Sequence, residues 1–216
     1  MLLANPTIAQ LIASIVALLV AFTIHEATHA LVAYNLGDAT AKRLGRLSLN
    51  PLAHLDPLGT LMILFAGFGW GKPVPVNPYN LRTGVRRGMG LVAAAGPISN
   101  ILTAYVFATP LRAGLVHVGP ASASLFIPTL GQLLLSIVML NVFLAVFNLL
   151  PIAPLDGFKV AIGLLPPRWA YTWSQTERYG PLILLFLIVF ARFGSFDLLG
   201  LTMYPMANAL LRVILG

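Results

Sequence analysis

The chain has 216 residues, of which 58% are hydrophobic and only 9% charged. Soluble domains carry about 25% charged residues, so this composition excludes an ordinary soluble globular protein and predicts a polytopic membrane protein. The net charge of +7 reads as membrane topology rather than nucleic-acid binding, because the basic residues flank the apolar runs.

Cysteine is absent, which excludes disulfides, thiolate ligands and a thiolate nucleophile. The N-terminal stretch has no basic region and no small-residue cleavage site, so it predicts a first spanning helix over residues 7–34 rather than a removable signal. Residues 36–56 are polar and basic. The stretch "SLNPLAHLDPLG", residues 48–59, is punctuated by Pro51, Pro57 and Gly59, which predicts a loop or short strand. Residues 57–70 are apolar but too few for a comfortable crossing. In "GFGWGKPVPVNP", Pro73, Pro75 and Pro78 exclude a helix and allow at most an edge strand. This part is predicted to be re-entrant or interfacial, with its non-helical backbone covered by protein or water.

Further spans are predicted over 88–110, 126–150, 180–193 and 197–214, the last two short or tilted. Pro151 and Pro154 break the third span, and a short helix resumes near Leu155. The predicted fold class is therefore all-α, with about five to six transmembrane helices and a short re-entrant or β-like segment between the first two full spans. It forms a single domain over 1–216, with a motif core over about 7–165 and C-terminal helices over about 178–216. If 57–70 does not cross, only Arg112 and Arg192 of the thirteen Lys and Arg fall on one side. That asymmetry puts the N-terminus outside and 36–87 in the cytosol.

Residues 25–29 read His25-Glu26-Ala27-Thr28-His29, an H-E-x-x-H pattern. Residues four apart share a helix face, so both imidazoles can converge on one ion. Glu26 lies on the same side and reaches a nucleophilic water without ligating the ion. A charge at mid-bilayer costs at least about 2.5–3.5 kcal/mol on insertion scales, which makes such residues functional candidates. The plainer reading is a polar seam between helices. A catalytic zinc site takes three protein ligands and leaves one position open. Topology narrows the third ligand to His54, Asp56 and Asp156, ahead of His117, Asp38, Glu177 and Asp197. Asp156 has the strongest case, because a carboxylate at a broken membrane helix is costly unless it binds something.

HEATH, then "GPISN" on the next full span, then "NLLPIAPLDG" ending the third, resembles the site-2 protease family of intramembrane zinc metalloproteases. "GRLSLNPLAHLDPLGT" and "GWGKPVPVNP" resemble its compact prokaryotic branch, which lacks a PDZ domain. The resemblance runs over about residues 20–160 and leaves the two C-terminal segments unmatched. It implies that His25, His29 and Asp156 ligate one zinc ion and that Glu26 is general base and then acid. It implies that Asn148 contacts the substrate backbone or the developing oxyanion, and that Asn100 supports the site from the neighbouring helix. The implied activity is hydrolysis of peptide bonds within or next to transmembrane segments of membrane-tethered substrates. The implied setting is a prokaryotic cell membrane, with the lipid bilayer as surroundings and the site toward the cytosol. No nucleic-acid partner is expected.

Several residues carry a second reading. Asn100, Asn141 and Asn148 can each be interhelical hydrogen-bonding amides, and for Asn141 that reading is preferred. His54 reads first as an interfacial turn histidine, and otherwise as a partner of the site, a gate or a fourth ligand. Lys159 is expected to snorkel to the cytosolic surface. "WGKPVPVNPYN" can add a strand to an unwound substrate or form a loop anchored by Trp70 and Tyr79. For the whole chain the alternatives are a non-proteolytic zinc-binding membrane carrier and a scaffold that binds transmembrane segments.

Overall fold

The computed structural model describes residues 7–59, 62, 71–119, 125–193 and 197–216. Seven helices of eight residues or more are described: α1 (Ile8–Asn35), α2 (Val85–Arg112), α3 (Leu130–Asn148), α4 (Asp156–Leu164), α5 (Pro167–Ser174), α6 (Gly180–Phe193) and α7 (Leu198–Leu215). α1, α2 and α3 are long and apolar enough to cross a membrane. The protein is an all-helical membrane protein. Among the described residues there is no strand, only an isolated antiparallel bridge between Leu55 and Gly71. Most of the predicted non-crossing stretch 57–70, with Trp70, lies outside the described residues.

α1 starts at a capping box. Thr7 accepts from the Gln10 N–H, and the Gln10 side chain accepts from the Thr7 N–H, which satisfies two donors that a helix start otherwise leaves open. Ala9, Ala13, Ala17 and Ala21 recur every fourth residue and are buried. A stripe of small residues lets neighbouring backbones come close, which in lipid is the main source of helix association. One turn later the same buried face carries His25 and His29.

α2 packs against α1, α3 and α4. Its buried face is again small: Gly88, Gly90, Ala93, Ala95, Gly96 and Pro97. A Cβ on Gly90 would stand 3.0 Å from the Cα of Gly163, so α2 and α4 meet almost backbone to backbone. α3 repeats the capping box with Thr129 and Gln132. It stops at Asn148, before Pro151 and Pro154. α4 then begins against the end of α3, where a Cβ on Gly157 would lie 2.2 Å from the Leu149 carbonyl. Only glycine fits there, and this close turn carries the neighbouring Asp156 back toward α1.

α7 packs against α2 and α3, and α6 against α7. Ala104, Ala108, Val138, Val142 and Ile214 form the apolar cluster where α2, α3 and α7 meet. α5 is a single amphipathic stretch of eight residues that buries Ala170, too short and too polar on average to stand out in the sequence as a span. Large apolar side chains such as Leu102, Val106, Leu182 and Phe186 face outward, as lipid contact requires.

The connection from α1 to α2 is knotted down by two buried charged residues. The Asp38 carboxylate accepts from Thr40 N, Thr40 Oγ1, Asn80 Nδ2 and Asn77 N, at 2.6–3.1 Å. Burial opposes its ionisation, but these hydrogen bonds outweigh burial and hold its pKa below the ordinary value. Arg46 donates to the carbonyls of Lys72 and Pro73.

Candidate active site

His25 and His29 sit one helical turn apart on α1. Their Nε2 atoms are 3.0 Å apart. Asp156, at the start of α4, places Oδ2 3.0 Å from His25 Nε2 and 3.2 Å from His29 Nε2. Among the described residues, these three are the His and carboxylate side chains close enough together to share a metal ion. Donors about 2.0–2.1 Å from a tetrahedral ion stand roughly 3.3 Å from one another, close to the observed separations.

The hydrogen bonds around the imidazoles decide what the three atoms can do. His29 Nδ1 lies 2.7 Å from the Val92 carbonyl, which can only accept. His29 therefore carries a proton on Nδ1, and in its neutral form turns the Nε2 lone pair toward Asp156. His25 Nδ1 lies 2.6 Å from Asn100 Oδ1. The Asn100 amide cannot be reversed, because its Nδ2 donates to the Ala21 carbonyl and to Asn141 Oδ1. Asn141 is fixed in turn, since its Nδ2 donates to the Ile137 carbonyl. This chain of polarities puts the His25 proton on Nδ1 as well. Two imidazole lone pairs and a carboxylate oxygen then converge, and Asp156 Oδ2 has no hydrogen-bond partner. With both imidazoles neutral, three acceptors face one another without a donor and repel, and a cation among them, a metal ion or a proton on one ring, removes that repulsion. The donor set of two imidazoles and one carboxylate suits zinc, and the orienting of each ligand through its second nitrogen is the usual support of a metal-bound histidine.

Gly96 of α2 leaves the space for this cluster, because a Cβ there would come within 2.5 Å of both His25 Cε1 and His29 Nε2. The three residues open on a cleft of about 290 Å³ that Glu26, Asn148 and Lys159 also line. Glu26 is half-buried beside the two histidines. Asn148 donates from Nδ2 to Leu144 of its own helix, 3.0 Å away, while facing the cleft. Lys159 is half-buried and lines the cleft as well.

The remaining candidates lie elsewhere. His54 is fully buried in the turn after Pro51–Ala53, with Nε2 2.8 Å from the Ser48 carbonyl. It is not in the metal-ligand cluster, and Asp56 accepts from the Gly59 N–H. Asp38 is committed to Thr40, Asn77 and Asn80. The sequence predicts an ordinary interhelical amide at Asn141. It makes that bond, and the bond it makes fixes Asn100 and through it His25.

The chain is 43% identical over 196 residues to "Putative zinc metalloprotease YwhC" of Bacillus subtilis, an alignment covering 90% of this chain and 85% of that protein. It is 30% identical over 176 residues to "Putative zinc metalloprotease Rip2" of Mycolicibacterium smegmatis, covering 79% of this chain and 64% of the relative. A Rip2 protein of Mycobacterium tuberculosis is 30% identical over 177 residues, with the same coverage. The chain thus spans somewhat less than two thirds of the mycobacterial relatives.

The protein belongs to this zinc metalloprotease family. No family model and no solved structure matches the chain. Membership agrees with the chemistry of the donor set: the family name requires a metal, and the cluster of His25, His29 and Asp156 is a possible site for it.

Proposed function

We propose that the protein is an intramembrane zinc metalloprotease of the site-2 type. It hydrolyses peptide bonds within or beside the transmembrane segments of membrane-tethered substrates. The observation that carries the reading is the convergence of His25, His29, Asp156 and Glu26 on one cleft, with both histidines buried in an apolar helix of 28 residues.

In this reading His25, His29 and Asp156 hold one zinc ion. Zinc held there would supply Lewis acidity, both to acidify a water and to polarise the scissile carbonyl. Glu26 takes a proton from the attacking water and later delivers it to the leaving amide nitrogen. Asn148 offers an N–H toward the oxygen on which charge develops. Asn100 and the Val92 carbonyl hold the two imidazoles in the tautomer that faces the ion.

A helical substrate hides its peptide bonds in its own hydrogen-bond ladder, so the cut segment must unwind. The segment from Lys72 to Asn77 supports a way to receive it. Each residue that precedes Pro73, Pro75 or Pro78 is confined to extended conformations, and Pro73, Val74 and Val76 line the catalytic cleft. The unwound substrate adds to this segment as a strand. The charge asymmetry supports five crossings, with α6 and α7 as the last two and the cleft open to the cytosolic side of the cell membrane.

The test is Glu26→Gln in the purified protein, assayed with a single-span membrane substrate. Wild type should cleave near the cytosolic end of the span. Glu26→Gln should keep its zinc and produce no cleavage. A carrier or scaffold predicts that wild type and Glu26→Gln behave alike, and that outcome would overturn the protease reading.

A further inference from the structure

Arg46 is the buried basic side chain that the proposed chemistry leaves without a task. Its exposure is 5%, and its guanidinium donates to two main-chain carbonyls, those of Lys72 and Pro73. Its Nε has no partner. Burying a cation costs several kcal/mol unless it is well paired, so a fold with no further need of it would place a neutral group here. Pro73, one of the two residues that Arg46 grips, lines the same cleft as Glu26, so the clamp lies beside the proposed site.

The segment that Arg46 grips has two unlike edges. Residues alternate their N–H and C=O groups between edges in extended chain. Pro73 and Pro75 have no N–H, so on their edge only Asn77 can donate, and its N–H is taken by Asp38. Val74 and Val76 supply N–H and C=O to the other edge, and none of these groups has a main-chain partner among the described residues. At its far end the segment is held by the Asn77 N–H on Asp38. At its near end the Lys72 N–H bonds the His54 carbonyl at 2.8 Å, and Arg46 takes the two carbonyls that follow.

We infer that Arg46 is a positioning residue for substrate docking: its two-pronged grip on Lys72 and Pro73 holds the Val74–Val76 edge in line with the catalytic cleft. The inference rests on the strand-docking reading above. An arginine suits the task because its planar fork binds two acceptors at fixed angles, whereas a lysine offers a single flexible point. The role is exerted on substrate binding, not on the metal, since Arg46 touches none of the three proposed ligands.

The test uses Arg46→Met and Arg46→Lys with a synthetic single-span peptide of leucine and alanine carrying one Gly-Pro pair near its cytosolic end. Zinc content, KM and kcat are measured in micelles. Arg46→Met should keep wild-type zinc, raise KM about tenfold or more, and change kcat less than threefold. Arg46→Lys should recover part of the KM. The chain has no cysteine, so Val74→Cys in the Glu26→Gln background can be cross-linked to one cysteine placed in the synthetic peptide. Capture should fall severalfold when Arg46→Met is added. An unchanged KM with undiminished capture would overturn the inference while leaving the protease reading intact. A wild type that holds zinc yet cleaves nothing would defeat the protease reading itself. If Arg46→Met does not accumulate, Arg46→Lys carries the same comparison, and wild-type KM and capture in it overturn the inference.

Discussion

Asn100 fixes the proton of His25. Its Oδ1 lies 2.6 Å from His25 Nδ1, and its amide group is held against reversal by Ala21 and Asn141. The lone pair of His25 Nε2 is thereby aimed at His29 and Asp156. Replacing Asn100 with leucine should remove that control and leave both the Ala21 carbonyl and Asn141 without their donor. Loss of such a partner weakens metal binding by about 10–100-fold, which competition with a graded series of chelators would measure.

Asn141 acts one step further out, so its effect should be smaller on metal and visible on stability. In Asn141→Leu, one N–H of Asn100 loses its acceptor inside an apolar bundle. An unpaired buried donor costs about 1–3 kcal/mol. Thermal unfolding in micelles should register that loss, while the zinc affinity falls less than in Asn100→Leu. Equal zinc loss in both variants would mean that the amide pair acts as one unit.

Gly96 is required by space rather than by backbone conformation. The methyl of Gly96→Ala would sit 2.5 Å from atoms of His25 and His29, where the rings have no room to retreat without leaving Asn100 and Val92. Overpacking of this kind costs about 1–3 kcal/mol. The expected result is a folded protein with much weakened zinc binding, checked by helical content and metal analysis on the same sample.

Asp38 gives a pH dependence with a definite sign. Its folded pKa is lowered, because hydrogen bonds to the carboxylate outweigh burial. Its contribution is therefore fully present above the unfolded carboxylate value of about 3.9 and is lost as the pH falls through the lower folded value. Asp38→Asn turns a donor toward Thr40, Asn77 or Asn80 and should cost about 1–3 kcal/mol at neutral pH. The gap between variant and wild type should narrow in acid below about pH 3.9, as read from unfolding midpoints. A gap that widened in acid would contradict the assignment.

Much of the site was legible because its chemistry is local in sequence. His25, Glu26 and His29 fall on one helical face by spacing alone, and Asp156 stands out as a carboxylate at a helix break. The three long apolar helices, Ile8–Asn35, Val85–Arg112 and Leu130–Asn148, follow from composition, with ends close to those expected. What stayed hidden depends on contacts between distant segments. No spacing rule joins Asn141 to Asn100, and one amide in an apolar helix looks like another. Arg46 looks like a loop cation contributing to the charge asymmetry, because its burial is created by Lys72 and Pro73. Gly96, followed by Pro97, already reads as a place of close helix approach around the site, and the histidines are what approaches it; Gly157 looks like an ordinary small residue until the Leu149 carbonyl is seen against it. The helix Pro167–Ser174 escaped because its apolar face runs for only eight residues, shorter than the window in which a helical period can be read.

The central claim is that His25, His29 and Asp156 hold one metal ion, and zinc per polypeptide tests it most directly. Gently purified wild type should carry about one zinc per chain, and Asp156→Ala should lose most of it. Zinc-free wild type, or Asp156→Ala with undiminished zinc, would contradict the account.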